Sequence, residues 1–114
     1  MPDFACKKIS KEDLVKCSFG LNKTEYKIFS FLISKERNYT AKEIGDKITL
    51  DRTTVQKGLS TLTSKELVQK RQVNLEKGSY TFKYSIENKE KIKQRIKKII
   101  REWAKSAEQS IDLL

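Results

Sequence analysis

The sequence contains no histidine, only one proline and two cysteines, and only four glycines in 114 residues. The lack of histidine removes most nucleophilic triads, the commonest proton shuttle and the usual zinc ligands. The four glycines stand singly along the chain and never form a phosphate-binding loop. We therefore predict no catalytic residues, no metal site and no cofactor, and the sequence does not favour an enzyme.

Long apolar segments are also missing. No run approaches the roughly 18–20 residues that span a bilayer, and the first eight residues, MPDFACKK, lack the apolar centre of a signal peptide. We therefore expect a cytoplasmic protein with no membrane association. In that reducing compartment Cys6 and Cys17 stay thiols. A small buried hydrophobe is the ordinary role of a free cysteine, and the sequence leaves open whether either one senses redox state.

Positive charge is what the chain has in excess. It carries 25 Lys and Arg against 15 Asp and Glu, a net charge of +10, and its pI is about 9.6. A chain of 114 residues fits one domain, residues 1–114, and 37% hydrophobic residues suffice for a modest core. Such a basic balance favours a polyanionic partner, most commonly nucleic acid. A genome rich in A and T also yields lysine-rich proteins, so the position of the charges has to decide.

Helix-start signatures recur along the first half of the chain. Ser10 precedes a short segment that Gly20 ends, and Asn22 with Glu25 forms a capping box. The segment after Asn22 carries apolar residues at helical spacing. These apolar residues are Tyr26, Ile28, Phe29, Leu32 and Ile33.

Two further helices follow in quick succession. Thr40 with Glu43 repeats the capping box, and Asp51 can cap the next helix. The inner faces of these helices are formed by Ala41, Ile44 and Ile48 in the first and by Val55, Leu59 and Leu62 in the second. Two short amphipathic helices joined by about four residues predict a helix-turn-helix over residues 40–66.

A hairpin and a long helix complete the chain. Residues 67–74 and 80–86 are predicted strands, with the turn at residues 76–79. In the second strand Tyr80, Phe82, Tyr84 and Ile86 alternate with polar residues, which indicates an inner face packed on the core. Residues 88–112 contain no glycine or proline and predict one helix.

This order resembles a winged helix-turn-helix domain, and more narrowly the small archaeal regulators related to the MarR and TrmB families. The matching segments are residues 40–55, 59–62, 67–68 and 77–86. The resemblance implies an α+β, mostly helical fold with a two-stranded wing and a long C-terminal helix. It also implies a sequence-specific, double-stranded DNA-binding regulator of transcription. Glu66 stands where such proteins usually have glycine, so we expect that turn to be strained or differently built. The sugar-binding domain of full-length TrmB proteins is not found, so sugar sensing is not carried over.

The second helix of the helix-turn-helix supplies the expected DNA contacts. Arginine reads guanine, glutamine reads adenine, and residues near the helix start penetrate deepest. We assign bases to Arg52, Thr53 and Gln56, and phosphates or base edges to Thr54, Lys57 and Ser60. In the wing, Lys77 and Lys83 are the preferred backbone or minor-groove contacts, with Lys70 and Arg71 nearby. An ordinary solvated face is the alternative for each group.

The C-terminal helix predicts a seam for a second helix. Its apolar positions at spacings of four and three are Ile92, Ile96, Ile99, Trp103 and Ala107. A helix of about 25 residues is about 37 Å long, more than so small a domain covers, which favours a homodimer. Packing back on the first helix is the alternative. The other face carries seven basic residues between positions 89 and 101 against Glu90 alone, and these bind phosphates or are simply solvated.

Two other functions compete with specific regulation. A winged helix also serves as a protein-contact module of the transcription machinery, and a basic one serves as a general chromatin-type DNA binder. The sequence identifies neither the operator and regulated genes nor activation against repression, and it does not support a small-molecule effector.

Overall fold

The computed structural model describes residues 9–114, so the prediction made for Cys6 lies outside the described residues. Five helices and two strands follow one another along these residues. They are α1 (Lys11–Phe19), α2 (Lys23–Lys35), α3 (Ala41–Ile48), α4 (Arg52–Ser64), β1 (Val68–Asn74), β2 (Tyr80–Ile86) and α5 (Lys89–Asp112). The predicted α+β, mostly helical fold with a two-stranded wing and a long C-terminal helix is confirmed.

The predicted N-caps start four of the helices. Ser10 Oγ accepts a hydrogen bond from the Asp13 N–H at 3.0 Å, and Asp51 Oδ1 accepts one from the Thr54 N–H at 2.7 Å. The capping boxes Asn22–Glu25 and Thr40–Glu43 are both reciprocal. Each cap satisfies amide groups that the first helical turn leaves free, so these helices begin where the local sequence directs.

The turn after α4 keeps the left-handed conformation although it contains no glycine. Glu66 has φ 59°, and the Leu67 N–H donates to the Leu62 carbonyl at 3.0 Å, closing the end of the helix. The structure therefore places Glu66 in the geometry that glycine usually provides. A β-carbon makes that geometry costly, so the turn is strained rather than rebuilt.

The two strands form an antiparallel hairpin that we call the wing, residues 68–86. Val68 pairs with Ile86 at its base and Asn74 with Tyr80 at its far end, leaving a loop over residues 75–79. Tyr39 adds an isolated bridge to Tyr84, with N···O distances of 2.9 and 2.7 Å. This bridge ties the wing to the segment before α3.

The core lies between α2, α3, α4 and the base of the wing, with the start of α5 closing it. Its fully enclosed side chains include Ile28, Leu32, Ile44, Val55, Leu59, Leu62 and Leu67. Ile92 belongs to the same core, at 1% exposure. The prediction that Ile92 lies in a dimer seam is therefore wrong, because the domain itself buries this side chain.

Two glycines permit close packing around α4. A β-carbon at Gly45 would lie 2.7 Å from the Leu50 carbonyl oxygen. The turn after α3 can therefore pack against this helix only because position 45 has no side chain. A β-carbon at Gly58 would collide with the Ile28 side chain of α2. Gly58 is buried and thus faces the core.

Candidate nucleic-acid interface

Helix α4 presents one polar face to solvent and one apolar face to the core. Val55, Leu59 and Leu62 have no exposed surface. The exposed face carries Arg52, Thr53, Gln56, Lys57 and Ser60, while Thr54 is half-buried. The burial of the apolar residues confirms the predicted orientation of the helix, and it leaves five of the six predicted α4 residues exposed to solvent.

The carboxylate that begins α4 is held in its charged form. Hydrogen bonding from the Thr54 N–H lowers the pKa of Asp51, and hydrogen bonding from the Thr40 N–H lowers the pKa of Glu43 at the start of α3. Lys83 and Lys47 also contribute to lowering the pKa of Glu43. Both acids therefore serve as helix caps whose charge is partly satisfied by backbone amides.

Two clefts flank the exposed face of α4. The cleft on the α2 side is lined by Asn22, Thr24, Glu25, Thr54, Lys57, Gly58 and Thr61. The cleft on the wing side, which we call the wing cleft, has a volume of about 550 Å³. It is lined by Thr40, Ala41, Lys42, Arg52, Gln56, Lys70, Tyr80, Thr81, Phe82 and Tyr84. The predicted residues therefore divide, Arg52 and Gln56 facing the wing and Thr54 and Lys57 facing α2.

The two lysines predicted in the wing occupy different places. Lys77 lies exposed in the loop, with φ 62°. Lys83 lies half-buried in β2, opposite Arg71, and its charge acts on Glu43. The structure does not bring the two lysines together. Lys77 lies in the loop at the end of the hairpin, and Lys83 lies on the outer face of β2.

The inner face of the wing is only partly buried. Tyr84 is 6% exposed, Phe82 is half-buried and Tyr80 is 58% exposed. The prediction that the whole face packs on the core therefore fails at Tyr80. Tyr80 is exposed because the hairpin extends away from the core, and Tyr80 lies at its far end.

The sequence placed Lys70 only near the preferred wing lysines and assigned Tyr80 to the face packed on the core, so it selected neither residue as a DNA contact. The Lys70 ammonium lies 4.2 Å from the centre of the Phe82 ring, and the Tyr80 ring meets Phe82 edge-on at 5.5 Å between centroids. The signal was available in the hairpin register, because Lys70 pairs with Tyr84 and so shares its face. Arg71, the next residue, lies on the other face.

Part of the basic charge on α5 has structural partners. Arg95 donates to the carbonyls of Lys65 and Glu66 at 2.9 and 3.0 Å, and its guanidinium lies 4.9 Å from the centre of the Phe19 ring. Lys89 pairs with Glu36 at 3.1 Å and Lys93 with Glu90 at 3.3 Å. The exposed basic residues of α5 that make no ion pair within residues 9–114 are Lys91, Lys97, Lys98, Arg101 and Lys105.

The remaining seam residues of α5 differ in exposure. Ile96 and Ile99 are half-buried against the core, Ala107 is half-buried, and Trp103 is 64% exposed. An apolar groove of about 360 Å³ lies between α1 and α5. It is lined by Ile9, Leu14, Cys17, Ser18, Ile99, Ile100 and Trp103. Cys17 is exposed in this groove rather than buried.

Residues 9–114 include no helix that is both long enough and apolar enough to cross a membrane. Within the same residues no three histidine, cysteine, aspartate or glutamate side chains come together as a group able to hold a metal ion.

Known proteins resemble this chain in sequence and in structure. The family model described as "Sugar-specific transcriptional regulator TrmB" matches residues 15–90. Two uncharacterized proteins of Methanocaldococcus jannaschii, MJ1503 and MJ1082, are 31% identical over 103 residues and 32% identical over 97 residues. These matches cover 90% and 85% of this chain and 77% and 79% of the relatives.

Solved structures agree with the family model. A possible transcriptional regulator from Methanosarcina mazei has a TM-score of 0.85 at 33% identity, over 98% of this chain and 94% of that chain. The ST1889 protein of Sulfolobus tokodaii has a TM-score of 0.72 at 23% identity, over 85% and 94% of the two chains, which supports the fold. The family model covers most of the chain and contains α4 with the wing, so this protein belongs to the TrmB family of transcriptional regulators.

Proposed function

We propose that this protein is a homodimeric regulator that binds a specific site on double-stranded DNA, each copy placing α4 in the major groove. The exposed face of α4 is the observation that carries the proposal. Arg52, Thr53 and Gln56 lie at the start of the helix, are exposed, and have the hydrogen-bonding groups that discriminate base pairs. The apolar side of the same helix is fully enclosed, so the helix is rigidly presented.

The edges of α4 and the end of the wing supply contacts to the DNA backbone. Lys57 lies on the side of α4 that faces α2, Ser60 lies one turn further along the helix, and Lys77 lies in the loop at the end of the wing. Cations at such positions bind phosphates without choosing a sequence, and they make the affinity strongly dependent on salt. Lys83 adds only its charge to this set, since its side chain is half-buried on the outer face of the hairpin and its charge also acts on Glu43.

A second copy of the chain completes the proposed binding unit. The apolar side chains left exposed on or beside α5 include Ile9, Ile100, Trp103 and Ile111. A twofold pairing through Trp103, Ala107 and the exposed edge of Ile96 and Ile99 covers this apolar surface. The resulting dimer presents two copies of α4 to half-sites about one helical turn apart, about 34–36 Å.

Selection from a pool of genomic DNA fragments, with excess non-specific DNA present, tests the proposal. We expect an enriched motif with twofold symmetry. Affinity for that motif should fall by about tenfold or more in Arg52→Ala and in Gln56→Ala, because each good base contact contributes about 1–3 kcal/mol. Lys23→Ala provides a matched control, since Lys23 is exposed at the start of α2 rather than on α4.

The other outcomes identify the competing functions. Retention of DNA without any enriched motif indicates a general DNA binder and contradicts specific regulation. No retained duplex DNA at moderate salt indicates a protein-contact module, and an unchanged affinity in both α4 variants shows that this helix does not select the site.

A further inference from the structure

We propose that the wing cleft is a binding site for the sugar-phosphate backbone of DNA, and that Lys70 and Tyr80 bind the phosphates there. This inference rests on the proposed function and adds a second contact surface to it. The backbone would lie between α4 and the inner face of the wing, so that one strand is held from both sides. Lys77 at the end of the wing has a separate role.

The two walls of the cleft carry complementary groups for a polyanion. Arg52 and Gln56 come from α4, while Lys70 and Tyr80 come from the wing. The lining includes three cations, Lys42, Arg52 and Lys70, and no acidic side chain. Hydroxyl groups from threonine and tyrosine add neutral donors, so every charged group in the cleft favours an anion.

The Lys70 side chain is already positioned inside the cleft. Its ammonium lies over the Phe82 ring at 4.2 Å from the ring centre, and Phe82 is in turn contacted by the Tyr80 ring. A cation–π contact leaves the ammonium protons free to donate to an oxygen. Holding the side chain in one place before binding reduces the entropy lost when a phosphate arrives.

The exposure of Tyr80 has the same explanation. Its ring is 58% exposed although it continues the apolar face of β2, and within the chain it contacts Phe82 rather than the core. A tyrosine at the mouth of a basic cleft combines an apolar contact for a sugar with a hydroxyl that donates to a phosphate. The side chain therefore suits a partner that has both groups, as the DNA backbone does.

The position of the cleft matches the path of one DNA strand. With α4 in the major groove and the wing beside it, the strand that separates the major from the adjacent minor groove passes between these elements. Arg52 would then contact DNA at the boundary between base edges and backbone. Lys70 would meet the same strand from the other wall.

Neighbouring residues on β1 provide a matched pair of variants. Lys70→Gln and Arg71→Gln remove the same charge at adjacent positions, but Lys70 lies on the inner face and Arg71 on the outer face. We expect Lys70→Gln to weaken binding to the selected duplex by about tenfold, because a charge-assisted hydrogen bond is lost. Arg71→Gln should change the affinity by less than about twofold. Tyr80→Phe, which keeps the ring and removes the hydroxyl, should weaken binding by about threefold.

Salt dependence and single-phosphate substitution separate a contact from a general effect of charge. The slope of log affinity against log salt should become shallower by about 1 in Lys70→Gln and stay unchanged in Arg71→Gln. Replacing individual phosphates by neutral methylphosphonates should reveal one position that weakens the wild type but not Lys70→Gln. Lys70→Arg should restore most of the affinity, and unfolding midpoints of all variants show that the hairpin is intact.

The results distinguish this inference from the proposed function. If the wild type selects a motif and Lys70→Gln has the same affinity for it as Arg71→Gln, the cleft does not bind the DNA backbone, although the proposal of a specific regulator survives. If the wild type binds DNA without sequence choice, the same variants on a random duplex still decide the role of the cleft. If the wild type binds no duplex DNA, both proposals fail.

Discussion

At the scale of single residues, backbone strain is concentrated where the chain reverses direction. Within residues 9–114, four residues other than glycine have positive φ: Glu36, Thr49, Glu66 and Lys77. Thr49 occupies the turn between α3 and α4, and Glu66 connects α4 to the wing. These turns set the angle between the elements of the proposed DNA surface, so their geometry is kept despite its cost.

Glu66→Gly should stabilise the protein by about 0.5–1 kcal/mol. Glycine removes the penalty of a β-carbon in the left-handed region and loses part of that gain through a more flexible unfolded chain. Urea unfolding measures the difference. Glu66→Ala, which keeps the β-carbon, should stay within about 0.5 kcal/mol of the wild type. Equal stability of the glycine and alanine variants would contradict the assigned strain.

Gly58→Ala should destabilise the protein by up to about 2 kcal/mol. The new methyl group would collide with Ile28, which has no exposed surface to move into, and the overpacking cost of about 1–3 kcal/mol exceeds the gain in helix propensity of about 1 kcal/mol. Ile28→Val removes the terminal carbon that is struck. The double variant should therefore lose less stability than the sum of the single variants, and strict additivity in urea unfolding would exclude this contact.

At the scale of the elements, long side chains connect helix ends that are distant in sequence. The Lys65 ammonium donates to the Phe19 carbonyl at the end of α1 at 2.6 Å, and Arg95 of α5 donates to two carbonyls after α4. These carbonyls lack partners within their own helices. The hydrogen bonds therefore fix α1 and α5 against α4, the proposed recognition helix.

Arg95→Met should destabilise the fold by about 1–2 kcal/mol, since two charge-assisted hydrogen bonds and the stacking on Phe19 are lost while water replaces part of them. The control is Lys98→Met, because Lys98 is exposed on the same helix and makes no ion pair within the described part of the chain. Thermal unfolding compares the two variants. A destabilisation of Arg95→Met no larger than that of Lys98→Met would show that Arg95 is an ordinary surface charge.

At the scale of the whole molecule, the shape leaves apolar surface uncovered. The chain extends over 67 × 24 × 21 Å, and α5 with its 24 residues accounts for about 36 Å of helix. Exposure of the large apolar residues on α5 rises from 1% at Ile92 to 64% at Trp103. The first part of α5 thus belongs to the core, and the later part leaves apolar side chains exposed.

Substituting both Trp103 and Ile111 by Ala should convert a dimer into a monomer at micromolar concentration without lowering the stability of the isolated subunit. These side chains are 64% and 62% exposed, so their removal leaves the core intact, unlike removal of Ile92. Sedimentation equilibrium measures the change. Lys105→Ala is the control, because it lies about 200° around the helix from Trp103. A monomeric wild type, or a dimeric double variant, would contradict the proposed pairing.

Much of the fold could be predicted because its signals are local. Capping boxes act within three residues, helical and strand periodicity act within one element, and a five-residue loop sets the hairpin register. The polar face of α4 followed from the same periodicity. Charge alone does not determine which face of a hairpin a lysine occupies, so composition did not distinguish Lys83 on the outer face from Lys70 on the inner face.

By itself, then, the sequence determined the order of the elements, their ends and the basic character of the molecule, since short-range geometry and composition suffice for these. Only the tertiary structure decided that Ile92 is core, that Gly58 makes room for Ile28, that Arg95 caps another helix and that Tyr80 lies exposed in the same cleft as Lys70. Each of these properties depends on where distant elements meet, or on how far an element extends from the body. Residue spacing within one helix or strand does not contain that information.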